Sequence, residues 1–360
     1  MKLQKAPVKR LYIDNDLQPI GPTAPLDKVS IGFVKWNHWM EKAHYDTDLK
    51  AAQAAEKSGN ADEAIHLFTQ AITAGDLSPD DQVAARKGRG SEYMAKSLIA
   101  DTFQRSDDAK RLRANAIDDF GAAIKIKADD ADLYAARAQT EHLNGQYDEA
   151  IADFNAALKL KDTATNLMQR ATSYRAKGDY ERAVADFAAA SAKDAKAEGL
   201  EGWEAINERG FTQFLAGRYA EAAADLDKAL TLGLPSHTGD VLWLPYQAAW
   251  LHIARARAGQ NDAEELARYA AKMDLKTWPG TLTAFFLGQL KADQVSPQSS
   301  HGGMVGRARD CNLSFFTGED ALIKGNAAEA ARLFNHVRDV CNVHTVHFLA
   351  AGAELKRIGK

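Results

Sequence analysis

Two cysteines and a few histidines carry the most distinctive chemistry in this 360-residue chain. Cys311 and Cys341 are the only cysteines, and His344 and His347 follow the second at three-residue intervals. Two thiolates and two imidazoles suit zinc when they converge tetrahedrally. Their spacing differs from the paired C-x-x-C pattern, so a metal-binding or enzymatic C-terminal part stands only as an alternative. His336, His344 and His347 otherwise read as surface residues near helix ends. His252, on an apolar stretch, reads as a core or groove residue rather than a base. No nucleotide-binding glycine loop, HExxH or GxSxG occurs in the sequence. The chain therefore reads as non-catalytic, with no metal or cofactor.

The elements that position these residues repeat. ADLYAARAQTEHLNGQYDEAIADFNAALKLKD, from Ala131, is followed by ATNLMQRATSYRAKGDYERAVADFAAASAKDA, from Ala164. Aligning Gly145 with Gly178 brings Tyr147 onto Tyr180, Ala150 onto Ala183, Phe154 onto Phe187 and Ala157 onto Ala190. This spacing resembles the tetratricopeptide repeat (TPR), a helix–turn–helix unit. The resemblance implies an all-α, right-handed TPR superhelix that binds protein segments. Abundant alanine, scarce proline and the absence of period-two alternation agree with an all-helical chain.

Four segments are expected. Residues 1–33, with Pro7, Pro19, Pro22 and Pro25, form an extended N-terminal arm. The apolar residues of this arm could dock on the repeats or on another copy, which would make a homo-oligomer. Residues 34–237 hold five repeats, the second carrying about fourteen extra residues near 101–114. That insertion is either a contact element or a lengthened helix pair. Residues 238–310 read as divergent hairpins turning at Gly259, with Trp250 and Ile253 inside, then a mobile loop over 291–309. Residues 311–360 give a last repeat and a helix that caps the array.

Within this frame one polar pattern recurs. Arg89, Arg137, Arg170 and Arg209 share a first-helix position, and Asp119, Asp153, Asp186 and Asp225 share a second-helix position. A guanidinium fork can take a carboxylate with two hydrogen bonds, so these residues are expected to pair as a structural ladder. Cys311 and Cys341 fall at the start of the first helix and the end of the second helix of one hairpin. Antiparallel helices bring those ends together, so a disulfide is expected, with free buried thiols as the alternative. The groove lining, assigned from repeat register, includes Lys87, Met94, Gln139, His142, Met168, Thr172, Arg175 and Asn207, with an apolar end at Phe211 and Phe214. The Lys and Asn set with which chaperone-binding TPR domains clamp a terminal carboxylate does not occur at these positions.

The C-terminal succession WP…FFLG, C…SFFTGE…L…G…AARLF…C and AAGAELKR is similar to the end of exported TPR proteins and lipoproteins of Gram-negative bacteria. That likeness implies a bacterial envelope scaffold, and the cysteine placement favours a periplasmic or exported setting. The start MKLQKAPVKRLYIDND lacks an apolar h-region, which favours the cytoplasm if the sequence is written in full. A net charge of -4 disfavours nucleic acid as partner. No apolar run reaches the roughly 18 residues of a membrane span. The expected role is a scaffold that holds a protein or peptide partner in its groove, with a self-assembling structural protein as an alternative. If the arginines serve structure, Arg170→Ala lowers the melting temperature more than it lowers ligand binding. An unchanged melting temperature would count against the ladder.

Overall fold

The computed structural model describes residues 48–75, 77–103, 105–193, 200–233, 243–295 and 303–360. The expected arm lies outside these residues. Every regular element among them is a helix: α1 (48–57), α2 (Ala61–Ala74), α3 (Pro79–Thr102), α4 (Ser106–Ile126), α5 (Ala131–Leu143), α6 (Tyr147–Leu160), α7 (Ala164–Lys177), α8 (Tyr180–Lys193), α9 (Leu200–Leu215), α10 (Tyr219–Leu232), α11 (Trp243–Arg257), α12 (Ala263–Ala270), α13 (Gly280–Phe286), α14 (Ala292–Val295), α15 (Gly303–Ile323), α16 (Ala327–Val340) and α17 (Val346–Arg357). No described helix is long and apolar enough to cross a membrane. The chain divides into two compact units, Met1–Ala136 and Arg137–Lys360.

Local sequence explains where the helices start and stop. Side chains of Ser78, Thr163, Asn326 and Thr345 accept a backbone N–H at the starts of α3, α7, α16 and α17. The tight turns inside the hairpins need a left-handed residue, and Gly145, Gly178, Gly217 and Gly325 supply it with φ of 79°, 88°, 76° and 79°. Close packing explains the abundance of small residues. A Cβ at Gly88 would stand 2.3 Å from the Phe68 ring in the first unit, and one at Gly318 would stand 2.7 Å from Phe334 in the second.

The first unit holds the second hairpin of the expected array. There α3 and α4 run to 24 and 21 residues, against 13 and 14 for α5 and α6. The residues around 101–114 therefore lengthen both helices. Arg113 of α4, buried, pairs with Asp101 of α3 in the added turns.

Each arginine of the repeated pattern forks onto the aspartate of its own hairpin. Nε and Nη2 of Arg89 lie 2.8 and 2.7 Å from the Asp119 oxygens. The distances are 2.5 and 2.8 Å for Arg137 with Asp153, 2.7 and 2.7 Å for Arg170 with Asp186, and 2.7 and 2.6 Å for Arg209 with Asp225.

The second unit is organised around Trp250 of α11. Its ring centroid lies 4.9 Å from Phe211, 5.3 Å from Phe214 and 4.8 Å from Phe315. Cys311 of α15 and Cys341, just after α16, form a disulfide with Cα atoms 5.2 Å apart. With a sequence separation of 30, loop closure contributes about 3–4 kcal/mol in the entropic account. Two expectations need correction. Residues 292–295 and 303–309, read as parts of a mobile loop, are helical, and 303–309 opens the long helix α15. Arg307, Ala308 and Arg309 are good helix formers that outweigh Gly306. The terminal helix α17 also does more than cap α16, because it returns to the hairpin of α9 and α10. There Arg357 donates to the Leu215 carbonyl, and the Tyr219 hydroxyl donates to Glu354 at 2.9 Å. Arg257 completes the joint at 2.6 Å from Glu319 and 3.0 Å from Glu354, two fully buried acids. Burial, then the charge of Glu354, pushes the Glu319 carboxyl upward.

A second buried acid stands beside the ladder. Glu141 of α5, one turn beyond Arg137, has its Oε1 3.8 Å from that residue's Nε. Burial, reinforced by the charge of Asp153, raises its carboxyl from about 4.5 to about 7. The folded state thus holds this proton more tightly than the unfolded chain, so the group costs stability as pH rises from about 4.5 through about 7. Denaturant unfolding of Glu141→Gln should show its advantage over the parent growing by about 1–3 kcal/mol between those limits. Parallel stability curves would refute the assignment.

Candidate functional site

Helix periodicity puts one face of each first helix of three successive hairpins of the second unit along a common groove. From α5 come Gln139, His142 and Leu143; from α7, Thr165, Met168, Gln169 and Thr172; from α9, Trp203, Glu204, Asn207 and Glu208. Phe154 of α6 and Phe187 of α8 reach up between them, and the volume of this open cavity is about 480 Å³. That size lies within the roughly 300–1,000 Å³ typical of ligand pockets.

The lining is mixed in polarity. Phe154, Phe187, Met168 and Trp203 supply apolar surface. Trp203 anchors α9 by donating its indole N–H to the Ala229 carbonyl at 2.9 Å. Nδ1 of His142 lies 3.0 Å from Ser173 Oγ, and its ring lies 5.4 Å from Tyr147 and 6.1 Å from His344. Burial, then the neighbouring His344 and Arg175, lowers His142 to about 4, so it is a neutral hydrogen-bonding group at physiological pH. Asn207 is buried and accepts from Gln247 of α11 through Oδ1. The charge in the groove comes from Glu204 and Glu208. Glu208 accepts from Arg175 Nη1 at 2.5 Å, whereas burial and then the charges of Glu208 and Glu201 raise the Glu204 carboxyl.

The residues expected in the groove divide. Gln139, His142, Met168, Thr172 and Asn207 line this cavity. Lys87 and Met94 belong to α3 in the first unit. Lys87 lies 4.0 Å from Asp132, and Met94 packs against the cluster of Val83 and Phe120. Arg175 is a correction: it is buried, spans to Glu208 and lies 5.7 Å above the Phe187 ring, so it supports the groove from behind. Phe211 and Phe214 are corrections too. Phe211 continues the stripe of Glu204 and Glu208, but Trp250 covers it, and Phe214 is fully buried in the same cluster. Sequence reasoning passed over Thr165, Gln169, Trp203, Glu204 and Glu208. Their signal was spacing, since each stands three or four residues from a lining residue on the same helix.

The C-terminal histidines and cysteines do not assemble as a zinc set. Both sulfurs are spent in the disulfide, and the His344 ring lies tilted beside His142. The His347 ring is enclosed by Trp250, Phe315 and Phe316, which lowers its pKa to about 3 and corrects its reading as a surface residue. His336 is exposed, 2.9 Å from Asp310. His252 is half-buried and pairs with Asp262 at 3.0 Å.

Comparison with known proteins agrees with the repeat architecture. Residues 131–163 and 168–235 each match a family described as tetratricopeptide repeat, and residues 1–82 match one described as Archaeal Nre, N-terminal. No curated protein matches the chain. Among solved structures, a tetratricopeptide repeat protein from Parabacteroides merdae is similar at 12% identity and TM-score 0.52, over 86% of this chain and 98% of that one. The likeness is one of fold. The pilF protein of Pseudomonas aeruginosa aligns at 15% identity over 74% of this chain and 98% of its own, but its TM-score of 0.40 is too low to inform this one. Residues 131–163 and 168–235 thus carry tetratricopeptide repeats, and the described residues around them share the all-helical fold of a tetratricopeptide repeat protein.

Proposed function

We propose that the groove of α5, α7 and α9 holds a peptide segment of a partner protein, and that the chain acts as an adaptor without catalysis of its own. The observation that carries this reading is the cavity of about 480 Å³, built by three consecutive first helices with an apolar floor and polar walls. Such a surface suits a segment whose side chains anchor in pockets while its main chain finds hydrogen-bonding groups. Gln139, Gln169, Thr172 and Asn207 supply those groups. The disulfide supports a setting in an oxidising compartment, and a bacterial envelope assembly fits that setting.

Random peptides displayed on phage and panned against the whole chain test the groove. Thr172→Trp places an indole in the cavity while circular dichroism reports the fold. Selected peptides should bind this variant at least about tenfold more weakly, a loss of roughly 1.4 kcal/mol. Equal affinity for parent and variant would refute the groove. The compartment is tested separately, by alkylating thiols during lysis of the native cell and counting them by mass spectrometry. The disulfide predicts none free, and two free thiols would place the protein in a reducing compartment.

A further inference from the structure

The groove is charged on one side only. Among its described lining residues there is no lysine or arginine, His142 is neutral, and the charges are the carboxylates of Glu204 and Glu208. Glu201, Glu204 and Glu208 follow one another at the three- and four-residue spacing that puts them on one stripe of α9. Two of the three are satisfied within the protein. Glu201 accepts from the Thr165 hydroxyl at 2.9 Å, and Glu208 from Arg175 at 2.5 Å. Glu204 has no hydrogen-bond or ion-pair partner among the described residues. It is exposed, as Glu201 is, and stands between two like charges.

A second, independent feature faces the same space. Asn207, one turn on from Glu204, is 7% exposed. Its Oδ1 is taken by Gln247, its Nδ2 has no hydrogen-bond partner among the described residues, and the side chain lines the cavity. An amide donor that faces the groove with no partner among the described residues is available to a ligand acceptor. The groove thus lacks two things: a cation for Glu204 and a carbonyl for Asn207. The main chain of a peptide carries the second, and a basic side chain carries the first.

We propose that the groove selects a basic peptide segment, in which a lysine or arginine side chain of the partner lies along Met168 and ends at the Glu204 carboxylate. This rests on the groove reading above and adds the chemistry of its ligand. The long aliphatic stem of either residue covers apolar surface while its head stays at the polar wall. The cation also relieves the repulsion along α9, which an acidic segment or a free terminal carboxylate would worsen.

The test is the amino-acid composition of the selected pool, read by sequencing peptides recovered from random, terminally blocked libraries on the parent chain and on Glu204→Lys. The parent should enrich lysine or arginine at one position, and Glu204→Lys should replace that preference with aspartate or glutamate. Glu204→Gln should weaken a selected basic peptide about fivefold, with the parent complex more salt-sensitive than the variant complex. Peptides lost on Thr172→Trp but showing no basic preference, or unaffected by Glu204→Gln, would overturn this proposal while leaving the groove reading in place. Peptides indifferent to Thr172→Trp would overturn both.

Discussion

Everything in this chain depends on helices brought close enough for a phenylalanine ring of one to rest on the backbone of another. Phe68, Phe120, Phe154, Phe187 and Phe334 are each buried almost completely. Burying one such ring contributes about 2–3 kcal/mol, and a short helical hairpin has nowhere to bury it alone. The ring must therefore meet a small residue, which is why Gly88, Gly90 and Gly318 stand where a Cβ would come within 3.0 Å of a ring carbon. In the second unit this packing leaves the first helices of three hairpins with one face covered and the other open. The groove is that open face.

The ion pairs serve a different end. A buried pair recovers little more than the cost of taking both charges from water, so stability alone does not explain four repetitions. Register does. The partners are 16 residues apart in three hairpins but 30 apart for Arg89 and Asp119. The difference is divided equally: α3 runs seven residues further beyond its arginine than α5 does, and α4 begins seven residues earlier before its aspartate than α6 does. Seven residues are close to two turns of helix, so the forked pair stays level while the hairpin grows beyond it. Against four satisfied forks, Glu204 is conspicuous as a carboxylate that no repeat position answers.

What was legible in the sequence was local or periodic. Hairpin turns at Gly145 and Gly178, the positions of the arginines and aspartates, and the pairing of the two cysteines all follow from repeat register, although Cys311 lies about two turns inside α15 rather than at its start. Register says which way a side chain points, but not what the chain later lays over it. Phe211 shares a stripe with Glu204 and Glu208, yet Trp250, some 39 residues on, covers it. His347 looks like a residue at a polar helix start, and three aromatic rings from two distant helices enclose it. The long helix α15 was hidden for a different reason, because glycines near 303 mask helix formers that follow them.

The return of α17 bears on the groove as well as on the array's end. Once Arg357 and Glu354 dock on the hairpin of α9 and α10, the loop leading into α17 is carried toward α5, and His344 comes to lie 6.1 Å from His142. His142 is itself part of the groove wall. The loop that carries His344 begins at Cys341, which the disulfide ties to α15. His142 at the groove wall is thus backed by a residue about two hundred positions later in the chain, on a loop held by a covalent link and a buried charge network. The surroundings of that wall therefore depend on the fold of the C-terminal hairpin. That dependence is why residues with no place in the repeat pattern belong to any physical account of what the groove can hold.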